Sequence, residues 1–200
     1  MSWEKIIVWD EQQKNFLKKF YPEALYIVAG SILITGNELN INVKNKKIIS
    51  LFDVSPCRPL HYRNFGQSYL PFYNQNSNLK FFSDILEVFN DENFQILLKN
   101  KRIGPNQTPK SYWNKFKRIT ENKLINIDPR VSARELIKIS NGVINMPYTS
   151  TAFLSKELVV PTIYYDSNNE IGRGESRDIS IVSNIEDLYK WKLTLENLYF

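Results

Sequence analysis

Short apolar runs alternate with amphipathic stretches along most of the chain, and this alternation limits the possible fold more than any other feature. Apolar runs of strand length occupy residues 46–54, 94–99, 123–127, 142–146 and 159–166. Helical spacing of apolar residues follows them, at residues 78–90, 111–119, 132–140 and 149–158. The run at 46–54 is typical of a strand that is buried on both faces. Because parallel strands need a crossover connection, usually a helix, the pattern predicts an α/β fold with a Rossmann-like, doubly wound parallel sheet.

The first 40 residues form a separate β-α-β pattern, with strands predicted at residues 5–9 and 25–30 and a helix at 11–20. We therefore predict a segment at 1–40, a remnant of or linker from an N-terminal domain, and a main domain at 41–195. The last five residues, ENLYF, match the start of a tobacco-virus protease recognition sequence that is used to remove purification tags. Residues 196–200 are accordingly predicted to be a tag remnant.

The composition excludes several classes of protein. One cysteine and one histidine allow neither a disulfide framework nor a Cys/His zinc site. The apolar runs are too short to cross a bilayer, and the N-terminus does not follow the signal-peptide pattern. We therefore expect a cytoplasmic protein, which other parts of a parent protein could hold at the inner face of the membrane.

A basic stretch without any acidic residue extends from Asn93 to Thr120. Such a stretch favours an anionic partner, although a solvated basic helix and loop is an equally good interpretation. No known nucleic-acid-binding motif accompanies it, so nucleic acid is not the expected partner. Its seven basic residues are Lys99, Lys101, Arg102, Lys110, Lys115, Lys117 and Arg118.

One helix start is specified in detail by the sequence. Ser132 and Glu135 have the spacing of a capping box, and Val131 and Leu136 occupy the positions of a hydrophobic staple. A helix is predicted to begin at Ser132. After residue 166, a polar loop with Gly172 and Gly174, a small strand ISIV and a last helix with Asn184 as its N-cap are predicted.

The candidate ligand site follows from the rule that parallel sheets bind ligands beyond the carboxyl ends of their strands. After the strand at 142–146 come Tyr148 and three hydroxyl residues, Thr149, Ser150 and Thr151, at the start of a helix. Hydroxyls and free N–H groups at a helix start suit a phosphate group, although Thr149 or Ser150 could instead be an ordinary N-cap.

Basic residues follow a second strand at the same predicted edge. Lys99, Lys101 and Arg102 come at the end of the strand at 94–99 and suit phosphate oxygens, although solvation is the alternative. Residues 128–130 connect the strand at 123–127 to the next helix, and we call this connection the 128–130 joint. It contains Asp128 and Arg130 and either lies along a nucleotide base or is an ordinary turn. The single histidine, His61, lies in a predicted loop and is not assigned a catalytic role, so the catalytic residues stay unknown.

Residues 131–166, VSARELIKISNGVINMPYTSTAFLSKELVVPTIYYD, resemble the nucleotide-sugar half of GT-B glycosyltransferases, particularly those that build bacterial surface polysaccharides. The shared pattern is a helix, a strand "gVIs.p", a Thr/Ser cluster that opens a helix, and a strand "g.Psi.Yd". Asn141 stands where aspartate is usual, and Val160 where glycine often precedes the proline. Upstream, IISLFDVSP and ILLKNKR extend the resemblance to about residues 46–191.

The resemblance implies a GT-B C-terminal domain that binds a nucleotide-sugar donor without a metal and serves a glycan or lipid-linked acceptor. Thr149 to Thr151 would lie near the donor phosphates with Lys99 and Lys101 close by, and residues 128–130 near the base. The catalytic base of such enzymes usually comes from the other domain, so we expect little transferase activity from this chain alone. A nucleotide-sugar epimerase is one alternative. A non-catalytic module that binds a phosphorylated ligand or a protein partner is another.

Overall fold

The computed structural model describes residues 3–30, 46–54, 56, 74–100, 108–171, 174–176 and 178–199. Contacts divide the chain into two compact units, Met1–Thr35 and Gly36–Phe200. Among the helices of the described ranges, none combines the length and apolar character that a membrane span requires.

The first unit is the predicted β-α-β segment. Strand β1 (Lys5–Val8) and strand β2 (Leu25–Val28) pair in parallel, and helix α1 (Glu11–Leu17) connects them. Asp10 begins the helix, because its side chain accepts a hydrogen bond of 2.7 Å from the backbone N–H of Gln13. The helix is three residues shorter than predicted, since Lys18 to Phe20 form a tighter turn with i to i−3 hydrogen bonds at Lys19 and Phe20.

The second unit contains seven described strands in one sheet. Its elements in chain order are β3 (Lys47–Phe52), α2 (Gln75–Val88), β4 (Phe94–Lys99), α3 (Lys110–Thr120), β5 (Leu124–Asn126), α4 (Ala133–Lys138), β6 (Gly142–Asn145), α5 (Ser150–Glu157), β7 (Thr162–Tyr165), β8 (Gly174–Ser176), β9 (Ile179–Val182) and α6 (Ile185–Tyr199). The strand order is β5-β4-β3-β6-β7-β9-β8. All pairs are parallel except β8 with β9.

This sheet confirms the predicted doubly wound α/β fold and adds one antiparallel edge strand. The prediction placed a polar loop at β8, which is three residues long and has no apolar period to indicate a strand. The order reverses between β3 and β6, since β4 and β5 lie on one side of β3 and the later strands on the other. At such a reversal the connections leave the sheet in opposite directions, which opens a crevice at the carboxyl ends of β3 and β6.

Both faces of the sheet are covered by apolar side chains. Alternate residues of β3 point to opposite faces, so Ile49 and Leu51 belong to one core cluster, while Ile48 and Phe52 belong to the other. The first cluster contains the inner sides of α2, α3 and α6, and the second contains α4. The prediction that this strand is buried on both faces is therefore confirmed.

Three element boundaries differ from the prediction or refine it. Helix α2 begins at Gln75 rather than Asn78, because the side chain of Asn74 accepts a hydrogen bond of 2.8 Å from the N–H of Asn76. Strand β7 begins at Thr162 because Val159 and Val160 belong to the turn that closes α5. The predicted N-cap of α6 is confirmed, since Asn184 Oδ1 accepts a hydrogen bond of 2.8 Å from the N–H of Asp187.

Candidate functional site

A pocket of about 150 Å³ lies at the crevice between β3 and β6. The ends of β3 and β4 form one side of it, and the starts of α4 and α5 form the other. The structure thus brings together two regions that the sequence placed at the edge of the sheet, Lys99 and the hydroxyl cluster at 149–151. The lining residues are Phe52, Asp53, Lys99, Asn100, Ala133, Thr149, Ser150 and Thr151.

The start of α5 presents backbone N–H groups to this pocket without a side-chain cap. Thr149 is the N-cap residue, with φ of −75° and ψ of 140°, but its side chain makes no capping hydrogen bond. Its hydroxyl instead donates to the carbonyl oxygen of Met146 at 2.9 Å. Uncapped N–H groups at a helix start carry partial positive charge and suit an anion.

A buried asparagine explains where the threonine hydroxyls point. Asn145 is the last residue of β6, and its Oδ1 accepts hydrogen bonds from Thr151 Oγ1 at 2.6 Å and from Thr149 Oγ1 at 3.4 Å. Its Nδ2 donates to Thr162 Oγ1 at 3.0 Å on the neighbouring strand β7. Two of the three predicted phosphate-binding hydroxyls are therefore hydrogen-bonded to Asn145, whereas Ser150 is exposed at the pocket. The sequence interpretation missed Asn145.

The turn between β6 and α5 holds an uncommon backbone conformation. Tyr148 has φ of 63°, a left-handed conformation that is costly for a residue with a bulky side chain. The buried side chain of Tyr164 supports the turn, because its hydroxyl donates to the carbonyl oxygen of Thr149 at 3.3 Å and its ring centroid lies 5.9 Å from that of Tyr148. This turn directs the start of α5 toward the pocket.

Lys99 supplies a half-buried cation to the pocket wall. Its Nζ donates to the carbonyl oxygen of Pro129 at 3.0 Å. Burial lowers the pKa of Lys99, and the nearby charges of Asp128 and Asp53 oppose that shift. Among the residues that the structure describes, the carbonyl oxygen of Pro129 is the hydrogen-bond acceptor that holds this ammonium group beside the pocket.

The predicted base-binding joint is an exposed ion pair next to Lys99. Asp128 Oδ1 accepts a hydrogen bond of 2.9 Å from the N–H of Arg130, and Asp128 Oδ2 lies 2.6 Å from Arg130 Nη2. These hydrogen bonds from Arg130 lower the pKa of Asp128 to about 2. The joint contacts the pocket through the hydrogen bond between Pro129 and Lys99, and its own side chains do not line the pocket.

A buried polar cluster holds the turn that follows β3. The side chain of Asn78 donates to the carbonyl oxygen of Val54 at 2.8 Å and accepts a hydrogen bond from the Tyr112 hydroxyl. Burial, with a smaller contribution from the charge of Asp53, raises the pKa of Tyr112, so this hydroxyl stays protonated as a donor. The sequence interpretation missed Asn78 and Tyr112, because each lies on a helix that is far from β3 in sequence.

The helix start at Ser132 is confirmed by its contacts. The side chain of Ser132 accepts a hydrogen bond of 3.2 Å from the N–H of Arg134, and α4 begins at Ala133 on the pocket wall. Val131 and Leu136 belong to one apolar cluster, as a hydrophobic staple requires. The helix ends at Lys138, two residues before the predicted end, since the N–H of Ser140 bonds to the Ile137 carbonyl in a tighter turn.

Some predicted residues lie outside the described ranges. These are Lys101, Arg102 and the single histidine, His61. Within the described ranges, no group of three or more His, Cys, Asp or Glu residues is arranged to hold a metal ion.

A family model for polysaccharide biosynthesis PFTS motif proteins matches residues 1–192. The chain belongs to this family. The family description names a PFTS motif, and residues 147–150 read Pro-Tyr-Thr-Ser, which agrees with that motif except for tyrosine in place of phenylalanine. In this family member, residues 147–149 form the turn and N-cap that lead into α5, and Ser150 is the first residue of that helix at the pocket.

Two solved structures share the fold at low sequence identity. One, from Listeria monocytogenes, is assigned as a UDP-N-acetylglucosamine 2-epimerase; identity is 14%, the TM-score is 0.54, and the match covers 94% of this chain and 49% of that one. The other is a chain in the structure of accessory secretory proteins 1, 2 and 3 of Streptococcus pneumoniae, with 12% identity, a TM-score of 0.55 and coverage of 97% and 36%. This chain thus spans half or less of either neighbour, and the likeness shows the GT-B-type Rossmann-like fold. No curated protein matches by sequence.

Proposed function

We propose that this chain forms the donor-binding part of a glycosyltransferase in polysaccharide biosynthesis, and that the pocket between β3 and β6 binds the phosphate of a nucleotide sugar. The observation that carries the proposal is the convergence of Lys99 and the uncapped start of α5 on one pocket at the reversal of strand order. Membership of a polysaccharide biosynthesis family supports it.

The proposed chemistry is stabilisation of a leaving group. When the bond between the sugar and the phosphate breaks, negative charge develops on the phosphate oxygen that leaves. N–H groups of the first turn of α5 and the ammonium of Lys99 would stabilise that charge, and the exposed hydroxyl of Ser150 would add a hydrogen bond. From the sequence alone, we propose that Lys101 and Arg102 also bind the phosphate, and that the acceptor would be a glycan or a lipid-linked glycan.

The joint at Asp128 and Arg130 would lie along the nucleotide base. Because Arg130 is held by Asp128 at 2.6 Å, its guanidinium is already engaged, so backbone groups of this joint are the better candidates to read a base edge.

A matched pair of variants at Ser150 tests the phosphate site. Ser150→Pro removes one backbone N–H from the first position of α5, where proline fits a helix, and the extended conformation of Thr149 suits a residue before proline. Ser150→Ala keeps that N–H and removes only the hydroxyl. In calorimetric titrations with UDP, GDP, CMP and their sugars, the proline variant should lose about tenfold in affinity, equivalent to one hydrogen bond to a charged group. The alanine variant should lose less.

Unchanged binding by Ser150→Pro would place the phosphate elsewhere. Failure of every nucleotide to bind the folded wild-type chain would favour the non-catalytic, partner-binding alternative. An epimerase is a second candidate because of the Listeria neighbour. Proton NMR of UDP-N-acetylglucosamine incubated with the chain separates it, since inversion at the C2 carbon would support an epimerase and binding without inversion would support donor binding alone.

A further inference from the structure

Helix α3 has a cationic face that the proposed donor site does not use. Tyr112, Phe116 and Thr120 are buried on its inner side. At 100° per residue, the basic residues of the helix lie within an arc of about 160° that is centred opposite the buried side. All of them are exposed, and they are Lys110, Lys115, Lys117 and Arg118.

These charges are not neutralised within the described part of the chain. No ion pair among the described residues includes any of the four. Lys123 is exposed just beyond the helix, and Glu121 is the single acidic residue from position 93 to position 123. The face therefore attracts an anionic partner.

The packing of the inner side fixes the direction of this face. The ring centroid of Phe116 lies 5.0 Å from that of Phe82 on α2, and the Tyr112 hydroxyl donates to Asn78 on the same helix. The rings of Tyr112 and Phe116 are thus turned toward the core, and the half-buried ring of Trp113 packs against the same core cluster, so α3 has no fully exposed ring for stacking against nucleic-acid bases. A helix face that carries four exposed basic residues and no fully exposed ring matches the diffuse negative charge of an anionic bilayer.

We propose that the outward face of α3 docks the protein on membranes that contain anionic phospholipids. The docking is peripheral and electrostatic, since Lys and Arg side chains near such a surface each strengthen binding about fivefold. The start of α3 is tied to the segment after β3, because Thr108 Oγ1 donates to the carbonyl oxygen of Pro56 at 2.7 Å. This inference does not depend on the identity of the donor.

Co-sedimentation with vesicles tests the proposal on the full chain. Vesicles of phosphatidylcholine mixed with phosphatidylglycerol should bind the protein at low salt, whereas vesicles of phosphatidylcholine alone should not. Raising the salt concentration should release the protein, because the charges are exposed and screened. Changing all four basic residues of α3 to glutamine should weaken binding by at least about a hundredfold.

A second variant with the same loss of charge is the control. Lys5, Lys18, Lys19 and Lys46 are exposed and lie outside α3, and changing them to glutamine should leave most of the vesicle binding intact. Circular dichroism establishes that both variants are folded. Equal losses in the two variants, or no binding of wild type to anionic vesicles, would overturn the proposal. So would tighter binding to single-stranded RNA than to the vesicles.

Discussion

The side chain of Asn145 accepts a hydrogen bond of 2.6 Å from the hydroxyl of Thr151. This bond directs the hydroxyl of Thr151 toward a buried amide at the end of β6, while the hydroxyl of Thr149 donates to the carbonyl oxygen of Met146 at 2.9 Å and does not cap the helix. If the hydroxyl of Thr149 capped α5 instead, it would occupy the N–H groups that an anionic ligand needs. The threonine hydroxyls therefore leave the N–H groups at the start of α5 without a side-chain cap.

Replacing Asn145 by alanine should weaken both folding and ligand binding. The half-buried hydroxyls of Thr151 and Thr162 would lose their bonds to this side chain, which would loosen the first turn of α5 at the pocket. We expect a loss of about 1–3 kcal/mol in the free energy of unfolding, measured by urea denaturation, and weaker nucleotide binding in calorimetry.

The double variant Asn145→Ala with Thr151→Val is the control for this prediction. Valine leaves no hydroxyl without a partner at position 151, so the two changes together should cost less stability than the sum of the two single changes. Additive losses would show that the bond between Asn145 and Thr151 is not the cause.

Replacing Lys99 by methionine should weaken binding of a nucleotide by about 1.5–3 kcal/mol, since a hydrogen bond to a charged group is lost while the apolar stem is kept. Lys138→Met, at an exposed position on α4 away from the pocket lining, should leave affinity unchanged. Calorimetry at neutral pH compares the two.

The pH dependence gives a second measurement for Lys99. Burial lowers its pKa below the ordinary 10.5, so the ammonium loses its proton at a lower pH than a solvated lysine does. Affinity for an anion should therefore fall as the pH rises toward 10.5, and Lys99→Met should lack that fall. Because folding lowers the pKa of Lys99, its charged form reduces the free energy of unfolding at pH values below the folded-state pKa. This cost disappears as the pH rises to 10.5. A pH profile of binding that is identical in both proteins would contradict the assignment.

Replacing Val159 by asparagine should stabilise the fold. Val159 has φ of 57° and is 88% exposed, so a β-branched residue occupies a left-handed position without burying its side chain. Asparagine tolerates this conformation better, and we expect a gain of about 1 kcal/mol in thermal or urea unfolding. Val160→Asn should be destabilising instead, because Val160 packs against the second core cluster. A lower melting temperature for Val159→Asn would show that the conformation is not strained.

Several features of the site were predictable because they depend on residues close in sequence. The caps at Ser132 and Asn184 involve partners two or three positions away, and both were identified. Lys99 and Thr149 to Thr151 were placed at one edge because parallel strands share their carboxyl ends. They meet in one pocket because of the strand order. The alternation of strands and helices predicted a parallel sheet but did not specify which strands are neighbours.

The sequence by itself determined the alternation of strands and helices, the burial of β3 on both faces, and the helix starts, because periodicity and capping are local properties of the chain. The tertiary structure alone decided that Asn145 holds Thr151 and that Asn78 receives the hydroxyl of Tyr112. Thr162 satisfies the Asn145 amide from the neighbouring strand, 17 positions further along. A hydroxyl follows whichever polar partner packing brings within reach, and packing between strands and helices depends on the whole fold.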